Sequence, residues 1–409
     1  MDTARLRRAF SIRENVRALV RAGEGDRLRP LDGLRAISIL WVVVFHTAWF
    51  GWHLQPLTYF GIIHTPWVVP IWRGDFGVDV FFVLSGFLIA GMLVDERREH
   101  GKVRLRLFYV RRLMRLWPAL LAASVIEAVM SPDRIGTAWA TLLYVSDFVP
   151  VIRSFMGWTW SLSIEEQFYL VCPWLIVATA TAMTRTRLSV IALLIAAVIA
   201  STAWIVTTGP FFVFDAEIAI NRPVEHWARG YDALYSKPWT RATPLLAGVG
   251  AAMLWRERSF TTALAKSRLV APLVFFAALA IATLSVEWRF FFGVPRWLEV
   301  AYMSLHRTVF GCAIAYVLLF VISDHALGKR VGRQLAAKAL YPIGQLAYAA
   351  YLINPFVAIA THKALASRLT DPTTAMLVLL PLDLVFTFAA AAVLHLAVER
   401  PMMRLRPKA

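Results

Sequence analysis

Arg35 and His46 enclose ten residues, "AISILWVVVF", that carry no charge. On a helix the eleven steps of about 100° from one to the other come within roughly 20° of three full turns, so both side chains share a face, about 16 Å apart along the axis. A guanidinium at the rim of an apolar layer and an imidazole near its middle can hold the anionic end of an elongated ligand and act as a base at the other end. Each residue alone has a plainer use, Arg35 as a boundary side chain reaching for water and His46 as a packing histidine bonded to a carbonyl. The shared face favours the joint chemical role.

Other polar groups interrupt apolar sequence at helical spacing. In "GDFGVDVFFVLSGFLIAG", 74–91, Asp75 and Asp79 stand four apart at the start of a run, and Ser85 with Gly86 lies deeper. Small residues there are read first as packing contacts that let another backbone or a ligand come close. "VRRLMRLWPAL", 110–120, puts Arg112 and Arg115 on one face at the entrance of the next run, with Arg111 beside them. Paired guanidiniums suit phosphate, although basic clusters also anchor helices on the cytoplasmic side. "WTWSLSIEEQFYL", 158–170, opens a further run with Glu165 and Glu166. A helix starting near Trp160 carries Glu165 about 7 Å inward, towards the depth of His46. A carboxylate beside an imidazole fixes its tautomer and raises its basicity, so Glu165 is expected to orient His46, and Glu166, on another face, to neutralise arginines at headgroup level. In "GQLAYAAYLINPF", 344–356, Tyr351 and Asn354 share a face and can donate to a carbonyl oxygen or bond to neighbouring helices.

The elements that must position these groups follow from composition. Of 409 residues, 59% are hydrophobic and 17% charged, with a mean hydropathy of +0.60. That excludes an ordinary soluble domain, and the continuous apolar runs exclude a β-barrel, whose strands alternate. The expected fold is all-α, a polytopic membrane helix bundle of about ten transmembrane helices near 34–52, 74–94, 113–130, 160–182, 188–207, 242–255, 269–286, 298–322, 340–361 and 374–397. The net charge of +17 falls in short clusters on alternate loops, which places both termini in the cytoplasm and needs no nucleic acid. Cys172 and Cys312 lie inside apolar runs, and neither a disulfide nor a metal site is inferred.

The domain organisation reads as a basic amphipathic cytoplasmic segment at 1–33, a membrane domain at 34–397 and a basic cytoplasmic tail at 398–409. The first of these lacks the apolar core of a signal peptide and reads either as an amphipathic helix on the cytoplasmic leaflet or as a disordered basic tail that only sets orientation. Residues 131–159 read as an external or re-entrant segment. Residues 208–241, with Asp215, Glu217, Glu225 and Asp232, form the longest external loop, a candidate lid or a plain connector.

At these residues the chain resembles the acyltransferase-3 family of integral membrane acyltransferases. The pieces that carry the resemblance are "LDGLRAISILWVVVFH", "GVDVFFVLSGFLI", "RRLMRLWPAL", "WSLSIEEQFYL", "TRATPLLAGVGAAM" and "VERPMMR", in family order along nearly the whole chain. The resemblance implies cytoplasmic acyl-CoA, acetyl-CoA foremost, as donor, and a hydroxyl of a glycan, lipid or small molecule as acceptor, with no metal. It implies essential roles for Arg35 and His46, contacts to the CoA phosphates for Arg112 and Arg115, and the acidic position of the fourth motif for Glu165. Two departures stand out. Asn354 occupies a place where many members have histidine, and "YSKPWTR", 235–241, looks more like the nose-resistant-to-fluoxetine-like branch. Some members carry a fused extracytoplasmic domain that receives the acyl group; the chain ends at Ala409 without one, so the acceptor is expected to dock directly or through a separate protein.

The resulting expectation is a multi-pass inner-membrane O-acyltransferase in which Arg35, Arg112 and Arg115 hold acyl-CoA and His46, with Glu165, deprotonates the acceptor. Asp79, Ser85, Tyr351 and Asn354 are candidate substrate or oxyanion groups, with direct transfer favoured over an acyl-Ser85 intermediate. The alternative is a proton-coupled transporter or lipid flippase with His46 and Glu165 as relay, which predicts an inverted repeat that the hydropathy does not display.

Overall fold

The structure, a computed structural model, describes residues 3–21, 27–54, 69–179, 181–209, 228–287, 294–365, 368–369 and 371–407. Asp215, Glu217 and Glu225 of the long loop lie outside the described residues, as do 22–26 of the amino-terminal segment. Among the described residues all regular structure is helical. The principal elements are α1 (Thr3–Ala9), α2 (Ile12–Val20), α3 (Pro30–Leu54), α4 (Phe76–His100), α5 (Leu105–Met130), α6 (Trp160–Ala178), α7 (Thr184–Thr208), α8 (Thr243–Trp255), α9 (Arg258–Lys266), α10 (Val270–Val286), α11 (Arg296–Val321), α12 (Ala347–Leu365), α13 (Pro372–Leu394) and α14 (Arg400–Leu405).

Each of the ten apolar runs overlaps helical structure, but among the described residues six helices meet the length and apolarity needed to cross a membrane, seven if α9 and α10, bent by 93° at their junction, count as one span. Of the rest, α6 carries two glutamates and a glutamine in its first half, which lower its mean hydropathy, and α8 has 13 residues. The run at 340–361 breaks at Leu346 into a short helix, Leu340–Gln345, and α12. Residues 131–159 contain no helix longer than six residues.

The chain divides into two compact units. The first comprises residues 1–78, 104–132 and 333–409. In it α3 packs on α12 and α13, and α12 also meets α5. The amino-terminal helices are fastened to the carboxyl-terminal one: Arg404 donates to the Arg8 carbonyl at 2.7 Å and to Glu14 at 2.6 Å. That fixes which side of α2 turns inward. Asn15 and Leu19 are buried, while Ile12, Val16 and Val20 form an exposed apolar line beside exposed Arg13, Arg17 and Arg21.

The second unit comprises residues 79–103 and 133–332. Its centre is α11, which packs against α7, α8 and α10, with Phe275 and Phe320 stacked 4.6 Å apart. Helices α4 and α8 meet through glycine on both sides. A Cβ on Gly86 would lie 2.1 Å from the Leu245 carbonyl oxygen, and one on Gly248 would lie 2.2 Å from that of Val83. Only residues without a side chain allow this approach.

Candidate functional site

In the first unit the chemistry gathers on α3. His46 is partly buried, flanked by the rings of Phe45 and Phe50 at 5.2 and 5.9 Å. Its Nδ1 is hydrogen-bonded to Asn354 Oδ1 on α12. Asn354 is buried, and its Nδ2 donates to the carbonyls of Ala350 at 2.8 Å and Tyr351 at 2.9 Å. The amide nitrogen is therefore committed to the helix that carries it, while the oxygen faces the imidazole. Tyr351 is also buried.

The next residue on α3 is bonded as well. Thr47 Oγ1 donates to Asp383 on α13 at 2.7 Å, and Thr361 of α12 donates to the other oxygen of that carboxylate at 2.5 Å. His362, also buried, is bonded through Nδ1 to the Ala358 carbonyl at 2.7 Å. Three helices thus meet at Asp383, and the rotation of α3 is fixed beside His46. At the other end of the helix Arg35 donates to Asp32 at 3.0 Å, one turn earlier. Asp32 also accepts from Gln345 at 3.3 Å. Arg112 and Arg115, on the first half of α5, are half-buried, while Arg111 is tied to the Pro407 carbonyl at 2.9 Å. Asp75 is held by Arg73 through two contacts, at 2.8 and 3.2 Å.

In the second unit the motif "WSLSIEEQFYL" assigns a partner to nearly every polar side chain. Glu165 Oε1 accepts from both Ser85 on α4 and Tyr169, one turn along α6. Ser163 meets Ser146 through hydroxyls 2.9 Å apart and accepts its backbone N–H at 3.1 Å. Gln167 donates to Asp147 at 2.9 Å and to the Tyr144 carbonyl at 3.2 Å. Tyr144 is the one non-glycine residue with positive φ, 56°, among the described residues, and Gln167 holds that strained turn against α6.

A second polar node lies on α4. Asp79, fully buried, is paired with both Arg241 and Arg307. The Arg241 guanidinium also lies over Trp160 at 4.7 Å and Tyr235 at 4.6 Å, so two aromatic faces and a carboxylate compensate the burial of its charge.

Outside the long helices, Lys237 donates to the Asp147 carbonyl and lies over the Phe148 ring at 5.7 Å. Asp232 accepts the Val151 N–H at 3.0 Å. Burial pushes the Asp147 carboxyl up to about 6 and that of Asp232 upward too, and it lowers Lys237. Among the described residues no group of three or more His, Cys, Asp or Glu side chains is arranged to hold a metal.

The sequence alone pairs Glu165 with His46. Within the first unit, Asn354 Oδ1 accepts the hydrogen bond at His46 Nδ1, and within the second, Glu165 accepts from Ser85 and Tyr169. Asp79 lies within an ion network, and the Asn354 amide nitrogen is spent on its own helix. Arg241, Arg307, Tyr169 and Asp383 join these sites without being among the residues expected from sequence. Arg307 and Asp383 sit inside apolar runs, and the cost of an ionisable group there is the signal that marks them.

The family model described as "Acyltransferase domain" matches residues 29–396. The chain is 33% identical over 163 residues to the peptidoglycan O-acetyltransferase OatA of Listeria monocytogenes, 35% of this chain and 23% of that protein. It is 32% identical over 164 residues to the O-acetyltransferase OatA of Staphylococcus aureus, 36% of this chain and 24% of that one. The match thus spans about a quarter of the length of these relatives. No solved structure matches. With its motifs in order and the family model running from before Arg35 to beyond Asp383, the chain belongs to the acyltransferase-3 family of acyltransferases.

Proposed function

We propose that the protein is an inner-membrane O-acyltransferase that moves an acyl group, acetyl foremost, from cytoplasmic acyl-CoA to a hydroxyl of a glycan, lipid or small molecule. The observation that carries the reading is His46, a base in an apolar helix whose Nδ1 is held by a buried amide, eleven residues from an arginine on the same helix. Relatives named as O-acetyltransferases support the reaction class and a hydroxyl acceptor.

Arg35, Arg112 and Arg115 are the proposed contacts to the CoA phosphates, on the first turns of α3 and the first half of α5. The acceptor hydroxyl attacks the thioester carbonyl while His46 takes its proton; the C–S bond breaks and the proton passes to the CoA thiolate. Glu165, whose Oε1 accepts from Ser85 and Tyr169, is the proposed catalytic carboxylate that orients His46, and Tyr351 is a proposed donor to the oxyanion. Asp79 serves by fixing Arg241 and Arg307.

The test is the protein reconstituted in vesicles with labelled acetyl-CoA and a panel of glycan, lipid and small hydroxyl acceptors. CoA release coupled to labelled ester is expected, and its loss in His46→Gln. Undiminished turnover in that variant ends the general-base role.

A further inference from the structure

Asn354 is followed by Pro355 on α12. Proline has no N–H, so the carbonyl four residues earlier, that of Tyr351, loses its helical partner. The Asn354 side chain replaces it: Nδ2 donates to Tyr351 at 2.9 Å and to Ala350 at 2.8 Å. Two carbonyl oxygens accept only from a donor, so the amide has one permitted orientation, with Oδ1 turned outward. That oxygen meets His46 Nδ1. An amide oxygen cannot donate, so the proton in this hydrogen bond belongs to the imidazole.

From this chain of contacts we infer that Asn354, oriented by Pro355, is a positioning residue that locks neutral His46 in the Nδ1–H tautomer and reserves Nε2 as the basic nitrogen. The inference rests on the reading of His46 as general base. It assigns the Nδ1 side of His46 to a neutral amide, which fixes the tautomer without itself placing a charge beside the imidazole. Thr47, bonded to Asp383, prevents α3 from rotating out of this register.

The experiment is nitrogen NMR on the full-length protein labelled with ¹⁵N-histidine, paired with kinetics of CoA release from acetyl-CoA. The chain has nine histidines, so the His46 signals are assigned by their absence in His46→Gln. The expected spectrum shows Nδ1 protonated and Nε2 bare. Asn354→Leu is expected to mix the tautomers and to lower kcat on the order of 100-fold with the donor KM unchanged, the scale of a lost general base. Pro355→Ala restores a competing N–H to the Tyr351 carbonyl and is expected to loosen the preference partially, which keeps the test valid where Asn354→Leu fails to fold.

An Nε2–H tautomer in the unaltered protein, or an unchanged tautomer and kcat in a folded Asn354→Leu, overturns the inference. A correct tautomer together with undiminished turnover in His46→Gln instead overturns the catalytic reading and leaves the positioning intact.

Discussion

Gln167 donates to one oxygen of Asp147 at 2.9 Å, and the other oxygen, buried, has no hydrogen-bond partner among the described residues. The carboxylate is thus half satisfied, on a segment, 131–159, that is held to α6 by the Asp147, Tyr144 and Ser146 contacts. Lys237 lies near enough to favour the charge, but burial dominates and raises the carboxyl to about 6.

The sign of the pH dependence follows. A carboxyl whose folded value lies above its ordinary one stabilises the fold fully only below that ordinary value, near 3.8, and the contribution is lost as pH rises through about 6. Asp147→Asn keeps the oxygen that faces Gln167 and removes the charge. It is expected to stabilise the protein by about 1 kcal/mol at pH 8 and to change little at pH 4.5. Thermal unfolding at both pH values measures this, and a variant less stable at pH 8 would show that the charge is favoured where it stands.

The glycine crossing of α4 and α8 gives a steric expectation. Gly86→Ala and Gly248→Ala each place a Cβ within 2.2 Å of a carbonyl oxygen of the facing helix, and neither backbone can yield as a flexible side chain would. Each substitution is expected to cost about 1–3 kcal/mol and to disturb Ser85, the neighbour of Gly86, and so its bond to Glu165. Thermal unfolding in detergent reads the loss; full stability in both variants would mean that the helices separate at little cost.

The helices themselves were legible in sequence because a membrane helix is a continuous apolar run, and each run does lie on a helix. Breaks were not. The 93° bend between α9 and α10 falls in a polar stretch that reads equally well as an ordinary loop. Within the sites, local spacing was informative and long-range pairing was not. Tyr169 lies one helical turn from Glu165, so that bond was open to inspection, whereas Ser85 lies 80 residues away. His46 advertised its need for a partner, but Asn354 is 308 residues distant, and a carboxylate looked the stronger candidate on chemical grounds alone. Asp79 was noted for its charge, while the two arginines that claim it, 162 and 228 residues on, could be found only by folding the chain.

That arginine pair leads to a stability expectation. Asp79→Asn leaves two guanidiniums, both less than a tenth exposed, without their shared carboxylate. Removing one partner of a buried ion network costs about 3–5 kcal/mol, because the remaining charge stays out of water. Adding Arg307→Met should recover part of the loss, since one cation is then withdrawn with the anion. Thermal unfolding of the single and double variants decides it, and a double variant worse by the full sum of the single losses would show that the residues act independently.

The role proposed for Arg112 and Arg115 predicts that donor binding can be separated from chemistry. If they meet the phosphates of acyl-CoA, their contact is the same in the bound donor and in the transition state, so its loss weakens both equally. The Arg112→Ala, Arg115→Ala double variant is then expected to raise the donor KM at least tenfold, about 1.4 kcal/mol or more, with kcat at saturating acetyl-CoA within a few-fold of the unaltered protein. Because the attraction would be between charges on half-exposed side chains, the donor KM of the unaltered protein should also rise with ionic strength, and that of the variant much less so. Initial rates across donor and salt concentrations measure both effects. A fall in kcat without a change in KM would move these arginines from the phosphates to the reacting centre.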